Sequence, residues 1–217
     1  MKHPPETHLN ILCVAERLFS EIGFEKTTIT DIAQESRMSP ANVYRFYSAK
    51  AEINEAVGRR LLGLTEAVGD GIVKSSEPAR EKLRALLAMM EAANEQRFIS
   101  DRKLHDLLER AFSENWTIAR EHTQKLTKQL REIISQGNRD GVFAVGDCER
   151  AASIMRSASI RFWHPRHIVE GAQEPEPTLD DMVDFCLAAF AQGAPAASSN
   201  DLAGADSTLQ RDKTAAS

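Results

Sequence analysis

Apolar residues recur at steps of three and four along almost the whole chain, and no run alternates branched apolar residues with polar ones. This spacing predicts an all-α protein, because a helix returns to the same face after three or four residues whereas a strand does so after two. The first helix is predicted over residues 6–22, with Gly23 as its stop. Its buried face is predicted to consist of Leu9, Leu12, Ala15, Leu18, Phe19 and Ile22.

Capping signals predict two short helices separated by a tight turn. Thr28, with Asp31 three positions later, has the spacing of a capping box and starts the second helix. Ser39 followed by a proline is a preferred helix start, so the third helix is predicted over residues 40–47. Ser48 is then predicted to cap a fourth helix.

The fourth helix is predicted to soften near its end, where Gly69 and Gly71 each cost about 1 kcal/mol relative to alanine. Further helices are predicted at residues 78–97, 101–112, 115–136, 148–163 and 179–192. Few large apolar residues follow Gly193, so residues 194–217 are predicted to form a disordered tail.

The second and third helices have the pattern of a helix-turn-helix motif, which defines a predicted domain at residues 1–48. A helix in the third position of such a domain enters a major groove. Asn42 can pair there with adenine, and Arg45 with guanine or phosphate. Threonine, tyrosine and lysine side chains can donate hydrogen bonds to phosphate oxygens. The predicted DNA-contacting residues are Thr28, Ser39, Ala41, Asn42, Tyr44, Arg45, Tyr47 and Lys50.

The overall charge does not attract nucleic acid, so DNA binding must rely on a local patch. The chain has 27 Lys and Arg against 32 Asp and Glu, a formal net charge of -5. Within residues 28–50, in contrast, three basic residues face two acidic ones. The three cysteines are far apart, which indicates no disulfide framework and favours the cytoplasm. No stretch has the pattern of a secretion signal or of a membrane-spanning helix.

Residues 23–53 closely resemble the DNA-binding region of the TetR family of bacterial repressors. The matching residues are Gly23, Thr27, Thr28, Asp31, Ile32, Ala33, Ser39, Tyr44, Lys50 and Ile53. The resemblance implies a homodimer that binds a double-stranded DNA operator and uses no cofactor. It also implies a C-terminal domain for dimerisation and for a small-molecule effector that relieves repression.

The family pattern implies a role for each matched position of the motif. Phosphate contacts are implied for Thr28, Tyr44 and Lys50, and base or backbone contacts for Ser39, Ala41, Asn42 and Arg45. A purely structural interpretation stays open, in which the hydroxyl groups only cap helices and the tyrosines only fill a core.

The sequence departs from the family in two places. Phe46 precedes Tyr47, whereas the family usually has histidine or tyrosine followed by phenylalanine at these positions. Ala51 stands where the family often has glutamate, so Glu52 is expected one position too late to close a capping box on Ser48. We therefore expect a weaker entry into the fourth helix.

The predicted helical domain at residues 49–193 carries candidates for an effector pocket. Large apolar side chains and histidines cluster near predicted helix ends, where they can line a pocket between helices. The predicted ligand-binding residues are Phe98, His105, Leu108, Phe112, Trp116, His122, Phe162 and Trp163. The alternative is that the aromatic residues are simply core.

Two other functions are weighed against a ligand-responsive regulator. His105, His122, His164 and His167 have the chemistry of Zn or Ni ligands, but His-x2-His in a loop is a weak signal, so no metal is predicted. A metal-dependent enzyme finds little support, because no HExxH, P-loop, GxGxxG or GxSxG motif occurs. We therefore predict no catalysis. A DNA-binding regulator without an effector stays open.

The helices predicted at residues 148–163 and 179–192 are expected to form the dimer seam. Small residues allow close approach of helices, and a two-fold dimer reads two half-sites where one motif gives few contacts. The predicted dimerisation residues are Ala152, Met155, Ser159, Met182, Phe185 and Ala189. Burial of these helices inside one subunit is the competing interpretation.

Overall fold

A computed structural model describes residues 4–165 and 177–193, and all regular structure in these ranges is α-helical. The first helices are α1 (Pro4–Ile22), α2 (Ile29–Glu35), α3 (Pro40–Val43) and α4 (Lys50–Lys74). They are followed by α5 (Ala79–Ser100), α6 (Arg102–Ser113), α7 (Thr117–Arg139), α8 (Cys148–Trp163) and α9 (Leu179–Gln192). The all-α prediction is confirmed. The predicted tail at residues 194–217 and His167 lie outside the described residues.

The buried face of α1 differs from the predicted one. Leu9 is 51% exposed and Ile22 is 42% exposed, whereas Ile11 is fully buried. Ile11 lies four residues before Ala15, so the two share a helix face with the buried side chain of Phe19. Leu9 and Ile22 lie beyond the edge of this face.

Two hydrophobic clusters form the interior. The first combines α1, α2, α3 and the first half of α4 with residues of α6 and the start of α7. The second combines α5, α7, α8 and α9. Phe112 of α6 packs against both clusters. The predicted division after residue 48 therefore does not separate two cores, because α6 belongs to the core of the helix-turn-helix region.

The entry into α4 corrects the expected cap. The N-cap is Ala49, not Ser48, so Glu52 occupies the third helical position. Its carboxylate accepts hydrogen bonds from the Ser48 backbone N–H at 2.6 Å and from the Ser48 hydroxyl at 3.0 Å. Glu52 thus lies in register to bind the residue before the cap, although Ala49 offers no side-chain oxygen of its own.

The predicted softening of α4 at its glycines takes a different form, because the helix continues through both to Lys74. Gly69 lies against α7, where an added Cβ would come within 2.7 Å of Gln129 Nε2. Gly71 has open space around it. Gly69 therefore permits close helix packing, whereas Gly71 makes no such contact.

The far end of α4 is fixed by Lys82 of α5, which is 3% exposed. Its ammonium donates to the Val73 carbonyl at 2.9 Å and to Gln136 Oε1 of α7 at 2.7 Å. A buried ammonium with hydrogen-bond acceptors on two other elements ties the three helices together.

The inner face of α8 packs within its own subunit, which corrects half of the predicted dimer seam. Ala152, Met155 and Ser159 are each fully buried against the second cluster or its neighbours, and the Trp163 indole N–H donates to Ser159 Oγ at 3.1 Å. The small residues of α8 thus serve packing inside the subunit. On α9, Met182 and Ala189 are half-buried, and Phe185 is 77% exposed.

Among the helices of the described ranges, none has the length and apolar content needed to cross a membrane.

Candidate functional site

The start of α2 is organised by a reciprocal cap. Thr28 Oγ1 accepts a hydrogen bond from the Asp31 backbone N–H at 3.1 Å, and the Asp31 carboxylate accepts one from the Thr28 backbone N–H at 2.8 Å. Both bonds confirm the predicted capping box. The bonds from Thr28, backbone first, hold the pKa of Asp31 below its ordinary value. Thr28 stays exposed while it caps the helix.

The short helix α3 places its polar residues outward. The hydroxyl of Ser39 caps it by accepting from the Asn42 backbone N–H at 3.3 Å, and Val43 on the inner face is fully buried. Tyr44 is 53% exposed. Ala41 and Arg45 are exposed as well, and Asn42 is half-buried. The predicted outward face of the third helix is thus present, although the helix ends at Val43 and continues as turns to Phe46.

Two arginines supply positive charge at this surface. Arg37, in the turn between α2 and α3, adopts a φ of 57°, which a residue with a side chain rarely adopts outside such turns. Arg37 and Arg45 are exposed, and neither forms an ion pair within the described residues. Both guanidinium groups are therefore free to pair with phosphate. Arg37 was not among the predicted contacts, although it was counted in the basic balance.

Lys50 at the first position of α4 is half-buried, and its ammonium donates to the Glu25 carbonyl at 3.0 Å. Burial lowers the pKa of Lys50, and the negative charges of Glu25 and Asp31 partly offset this effect by raising it. An ammonium has three donors, so this bond orients Lys50 and leaves two for other acceptors.

Tyr47 does not join the exposed face, which corrects its predicted DNA contact. Its side chain is 2% exposed and packs in the first cluster, and its hydroxyl bonds His8 Nδ1 at 3.0 Å. Burial, with a contribution from Glu52, raises the pKa of Tyr47 to about 12. Tyr47 is thus the residue of this pair that packs in the core, and the neighbouring Phe46 is half-exposed.

Half of the predicted ligand-binding residues converge in the helical domain. Leu108, Phe112, His122 and Trp163 line one cavity of about 20 Å³ between α4, α5, α6, α7 and α8. This volume is close to the room that a single water molecule needs.

The other predicted ligand-binding residues lie outside this cavity. Phe98 stacks edge-on against His105 at 5.1 Å and lies under the Arg102 guanidinium. Phe162 is covered by the Arg161 guanidinium. The indole of Trp116, the N-cap of α7, donates to the carboxylate of Glu114, the C-cap of α6. These residues pack in the core or at the surface. The sequence pattern alone does not distinguish such positions from the wall of a pocket.

His105 occupies a separate buried place. Its Nε2 bonds the Pro165 carbonyl at 3.0 Å, and its Nδ1 is buried with no partner among the described residues. Since a carbonyl only accepts, Nε2 carries the proton. Burial lowers the pKa of His105 and favours this neutral form.

Three polar residues line the cavity that sequence reasoning missed. They are Thr65 of α4, and Asn94 and Arg97 of α5. On α5 the buried positions Leu83, Leu87 and Met90 lead at helical spacing to Asn94 and Arg97. Polar residues at positions where the helical spacing predicts apolar ones were the signal in the sequence that could have identified Asn94 and Arg97.

The described residues contain no group of three or more His, Cys, Asp or Glu side chains arranged to hold a metal ion. His122 Nδ1 instead bonds the Glu66 carboxylate at 2.8 Å. His164 packs edge-on against Phe112 at 5.2 Å.

Helix α6 connects the cavity with the helix-turn-helix region. Leu108 and Phe112 face the cavity. On its other side, Lys103 donates to the carbonyl of Glu21 near the end of α1, and Arg110 pairs with Glu25 at 2.7 Å. The helix therefore contacts both the cavity and the turn that precedes α2.

Comparisons with known proteins agree with these features. The family model described as bacterial regulatory proteins, tetR family, matches residues 11–57. A second, described as the C-terminal domain of tetracyclin repressor-like proteins, matches residues 79–183. A curated relative, an uncharacterized HTH-type transcriptional regulator of Bacillus subtilis (strain 168) called YhgD, is 26% identical over 169 residues, which cover 72% of this chain and 84% of the relative.

Solved structures share the fold. A putative transcriptional regulator from Pseudomonas aeruginosa PAO1 has a TM-score of 0.61 at 17% identity, over 86% of this chain and 89% of that one. The fatty acid degradation regulator FadR from Bacillus halodurans has a TM-score of 0.58 at 15% identity, over 88% of this chain and 96% of that one. At these identities the likeness concerns the fold alone.

Proposed function

Because the chain belongs to the TetR family of bacterial transcriptional regulators, we propose that it is a repressor that binds operator DNA as a homodimer in the cytoplasm and is released by a small-molecule effector. The observation that carries the proposal is the exposed face of α3 beside two arginines that lack ion-pair partners in the described ranges. A surface of this kind suits a major groove and its flanking phosphates.

The proposed DNA contacts divide by chemistry. Tyr44, Lys50 and the two arginines bind phosphate oxygens, which fixes the orientation of the motif. The short side chains at the start of α3 approach the bases, because a recognition helix reads base edges with its N-terminal residues. The proposed contact residues are Thr28, Arg37, Ser39, Ala41, Asn42, Tyr44, Arg45 and Lys50.

The proposed dimer uses the outer faces of α8 and α9. Ile154 is 56% exposed and Phe185 is 77% exposed, so both place large apolar surface in solvent in the single subunit. Covering them with the same helices of a second copy gives a two-fold interface of four helices. Ala189, half-buried on α9, extends this face.

Effector control is proposed to act through α6 and α4. A ligand that enlarges the cavity displaces Leu108 and Phe112, and α6 transmits the displacement to the turn that precedes α2 through Arg110. Such a ligand releases DNA only if it prefers the conformation that binds DNA poorly.

The test is fluorescence anisotropy of the purified full chain on DNA from its own upstream region, titrated with salt and competitor DNA. We expect competitor-resistant binding that weakens about tenfold in Arg45→Ala and in Lys50→Ala, each phosphate contact being worth about 1.4 kcal/mol. Arg131→Ala, at a half-exposed arginine of α7 that pairs with Glu149 away from α3, is the control and should bind like the parent. Equal affinity for random DNA at every salt concentration would contradict the assignment.

A regulator without an effector is the second candidate, favoured by the small volume of the cavity. The same assay separates the two, because only a ligand-responsive repressor leaves its operator when a compound binds.

A further inference from the structure

Asn94 of α5 has an unmet hydrogen-bonding capacity. Its side chain is 4% exposed, and neither its Nδ2 donors nor its Oδ1 acceptor finds a partner in the described part of the chain. A buried polar group left unpaired destabilises the folded state, and most buried side-chain polar atoms are paired. Asn94 therefore marks a place where a partner from outside the described structure is expected.

Asn94 lines the cavity between α4, α5, α6, α7 and α8, so its amide has space in front of it. The wall around it is largely apolar, and its apolar members are Leu62, Met90, Ala93, Leu108, Phe112, Trp163 and Pro165. A polar group at the end of an apolar cleft is the usual arrangement of a small-molecule site, where a few polar groups fix the orientation of an apolar ligand.

Arg97 supplies a charge at the same cavity. It lies three residues after Asn94, one turn further along the same face of α5, so a single molecule can contact both side chains. Arg97 is half-buried and forms no ion pair with any described residue. Burial alone lowers its pKa, which agrees with the absence of a nearby carboxylate among these residues. A buried guanidinium stays charged and calls for an anion.

His122, the other ionisable residue in the described lining, bonds the Glu66 carboxylate through Nδ1. Among the described lining residues, Arg97 is therefore the cation without a counter-ion, and a single guanidinium matches a monoanion better than a doubly charged phosphate. A guanidinium presents two parallel N–H groups that fit a carboxylate.

We propose that the cavity receives a small organic acid with an apolar body, its carboxylate bound by Arg97 and by Asn94 Nδ2, and a hydroxyl or amide N–H of the ligand donated to Asn94 Oδ1. The inference rests on the proposed function, since it gives the chemical class of the effector. The aromatic or branched body of the acid lies against Phe112 and Trp163.

The size of the cavity connects binding with response. At about 20 Å³ it holds no organic acid in this conformation, so the ligand binds an expanded form. Met90 has a long unbranched side chain that can move aside at low cost, and the flexible stem of Arg97 lets its guanidinium follow the carboxylate. A ligand that binds only the expanded form has the difference in affinity that a population shift needs.

The test uses salicylate, benzoate, phenylacetate and isovalerate at millimolar concentration, with the corresponding primary amide as the neutral counterpart of each acid. Thermal unfolding and calorimetric titration of the full chain measure binding, and the operator assay is run in parallel. We expect at least one acid to raise the Tm by about 2–4 °C, whereas its neutral counterpart leaves the Tm unchanged.

Substitutions locate the binding. Arg97→Gln should weaken the acid at least about tenfold, and Arg97→Lys should weaken it less, because a charge without the planar fork remains. Arg131→Gln, at a half-exposed arginine that does not line the cavity, is the control and should bind the acid like the parent chain. Asn94→Leu should raise the Tm of the ligand-free protein by about 2–4 °C and abolish the response to the acid, because it removes an unpaired buried amide.

Four outcomes overturn the proposal. They are a response that persists in Arg97→Gln, an equal response to neutral amides, no response to any acid, and a fall in Tm in Asn94→Leu. Acids that bind through Arg97 without changing operator affinity would leave the carboxylate site standing and contradict its role as effector site. Operator binding that fails with every acid-binding property intact would contradict the proposed function alone.

Discussion

The Arg110 guanidinium of α6 lies 2.7 Å from the Glu25 carboxylate, in the turn between α1 and α2. The pair joins a helix of the cavity wall to the segment that positions the helix-turn-helix motif. Both side chains are substantially exposed, so the pair adds little to stability. Its significance is its position, because it links α6, which lines the cavity, directly to the turn before α2.

We expect Arg110→Gln to reduce the effect of an effector on operator affinity and to leave the Tm and the operator affinity of the free protein unchanged. The comparison is the ratio of operator dissociation constants with and without effector. Arg102→Gln is the control, because Arg102 pairs with Asp106 inside α6 and touches no residue of the turn. Equal ratios in both variants would show that the contact with Glu25 transmits nothing.

Removal of the hydroxyl should affect different properties at Tyr44 and Tyr47: operator affinity at Tyr44 and stability at Tyr47. Tyr44→Phe is expected to weaken operator binding by about tenfold and to leave stability unchanged, because Tyr44 is exposed. Tyr47→Phe is expected to lower the free energy of unfolding by about 1 kcal/mol through loss of the bond to His8, with operator affinity unchanged. Urea unfolding and anisotropy on the same samples check both. A loss of operator affinity in Tyr47→Phe at unchanged stability would restore its predicted role at the DNA.

Two glycines of α4 provide a matched pair. Gly71→Ala should stabilise the protein by about 1 kcal/mol, because its Cβ meets open space and alanine is the better helix former. Gly69→Ala should destabilise it by about 1–3 kcal/mol, because its Cβ would press on Gln129, which donates to the Glu66 carbonyl and to Asp70. Chemical denaturation measures both free energies. Stabilisation by both substitutions would mean that the Gln129 side chain can move away from the new Cβ without loss of stability.

Stability should fall in mild acid through His105. Its folded pKa is lowered by burial, so below its unfolded pKa of about 6.5 the unfolded chain binds a proton that the folded chain does not. The free energy of unfolding is therefore expected to decrease as the pH falls from about 7 towards 5. His105→Gln keeps a donor for the Pro165 carbonyl and does not titrate in this range, so its decrease should be smaller. Parallel curves for parent and variant would exclude this cause.

The proposed dimer depends on apolar surface of α8 and α9. Phe185→Glu is expected to convert the dimer to a monomer, because it places a charge at the centre of the proposed interface. Val68→Glu, at an exposed apolar residue of α4, is the control and should leave the mass unchanged. Sedimentation analysis gives the mass in each case. A monomeric parent chain would contradict the interface, and with it the two half-site arrangement.

The helix-turn-helix region was predictable because its signals are local. Thr28 and Asp31, or Ser39 and the following proline, lie within one turn of each other, so the caps follow from the sequence alone. The burial of Tyr47 depends on His8, which is distant in the chain and reaches it only through packing of α1. Local spacing contains no information on such a contact.

The cavity between α4, α5, α6, α7 and α8 shows the same limit. Its wall draws residues from five helices, so aromatic side chains on any one of them fit a pocket and a core equally well. Likewise the small residues of α8 suit close packing inside a subunit as well as between subunits, and the structure uses Ala152 and Ser159 for the former. Hydrophobic spacing identified the helices, whereas the element that packs against each helix face could be identified only from the three-dimensional structure.

The hydrogen bonds of the Lys82 ammonium hold the C-terminal end of α4, so any tilt of the helix is largest at its N-terminal end. A helix of 25 residues is about 37 Å long, so a rotation of about 5° at the bonds to Val73 and Gln136 moves its DNA-proximal end by roughly 3 Å. In the proposed two-fold dimer both copies swing, and the distance between the two α3 helices changes by up to roughly 6 Å, against a groove repeat of about 35 Å. In the proposed dimer, a displacement at the cavity smaller than a side chain would be enough to take one recognition helix out of register with its half-site.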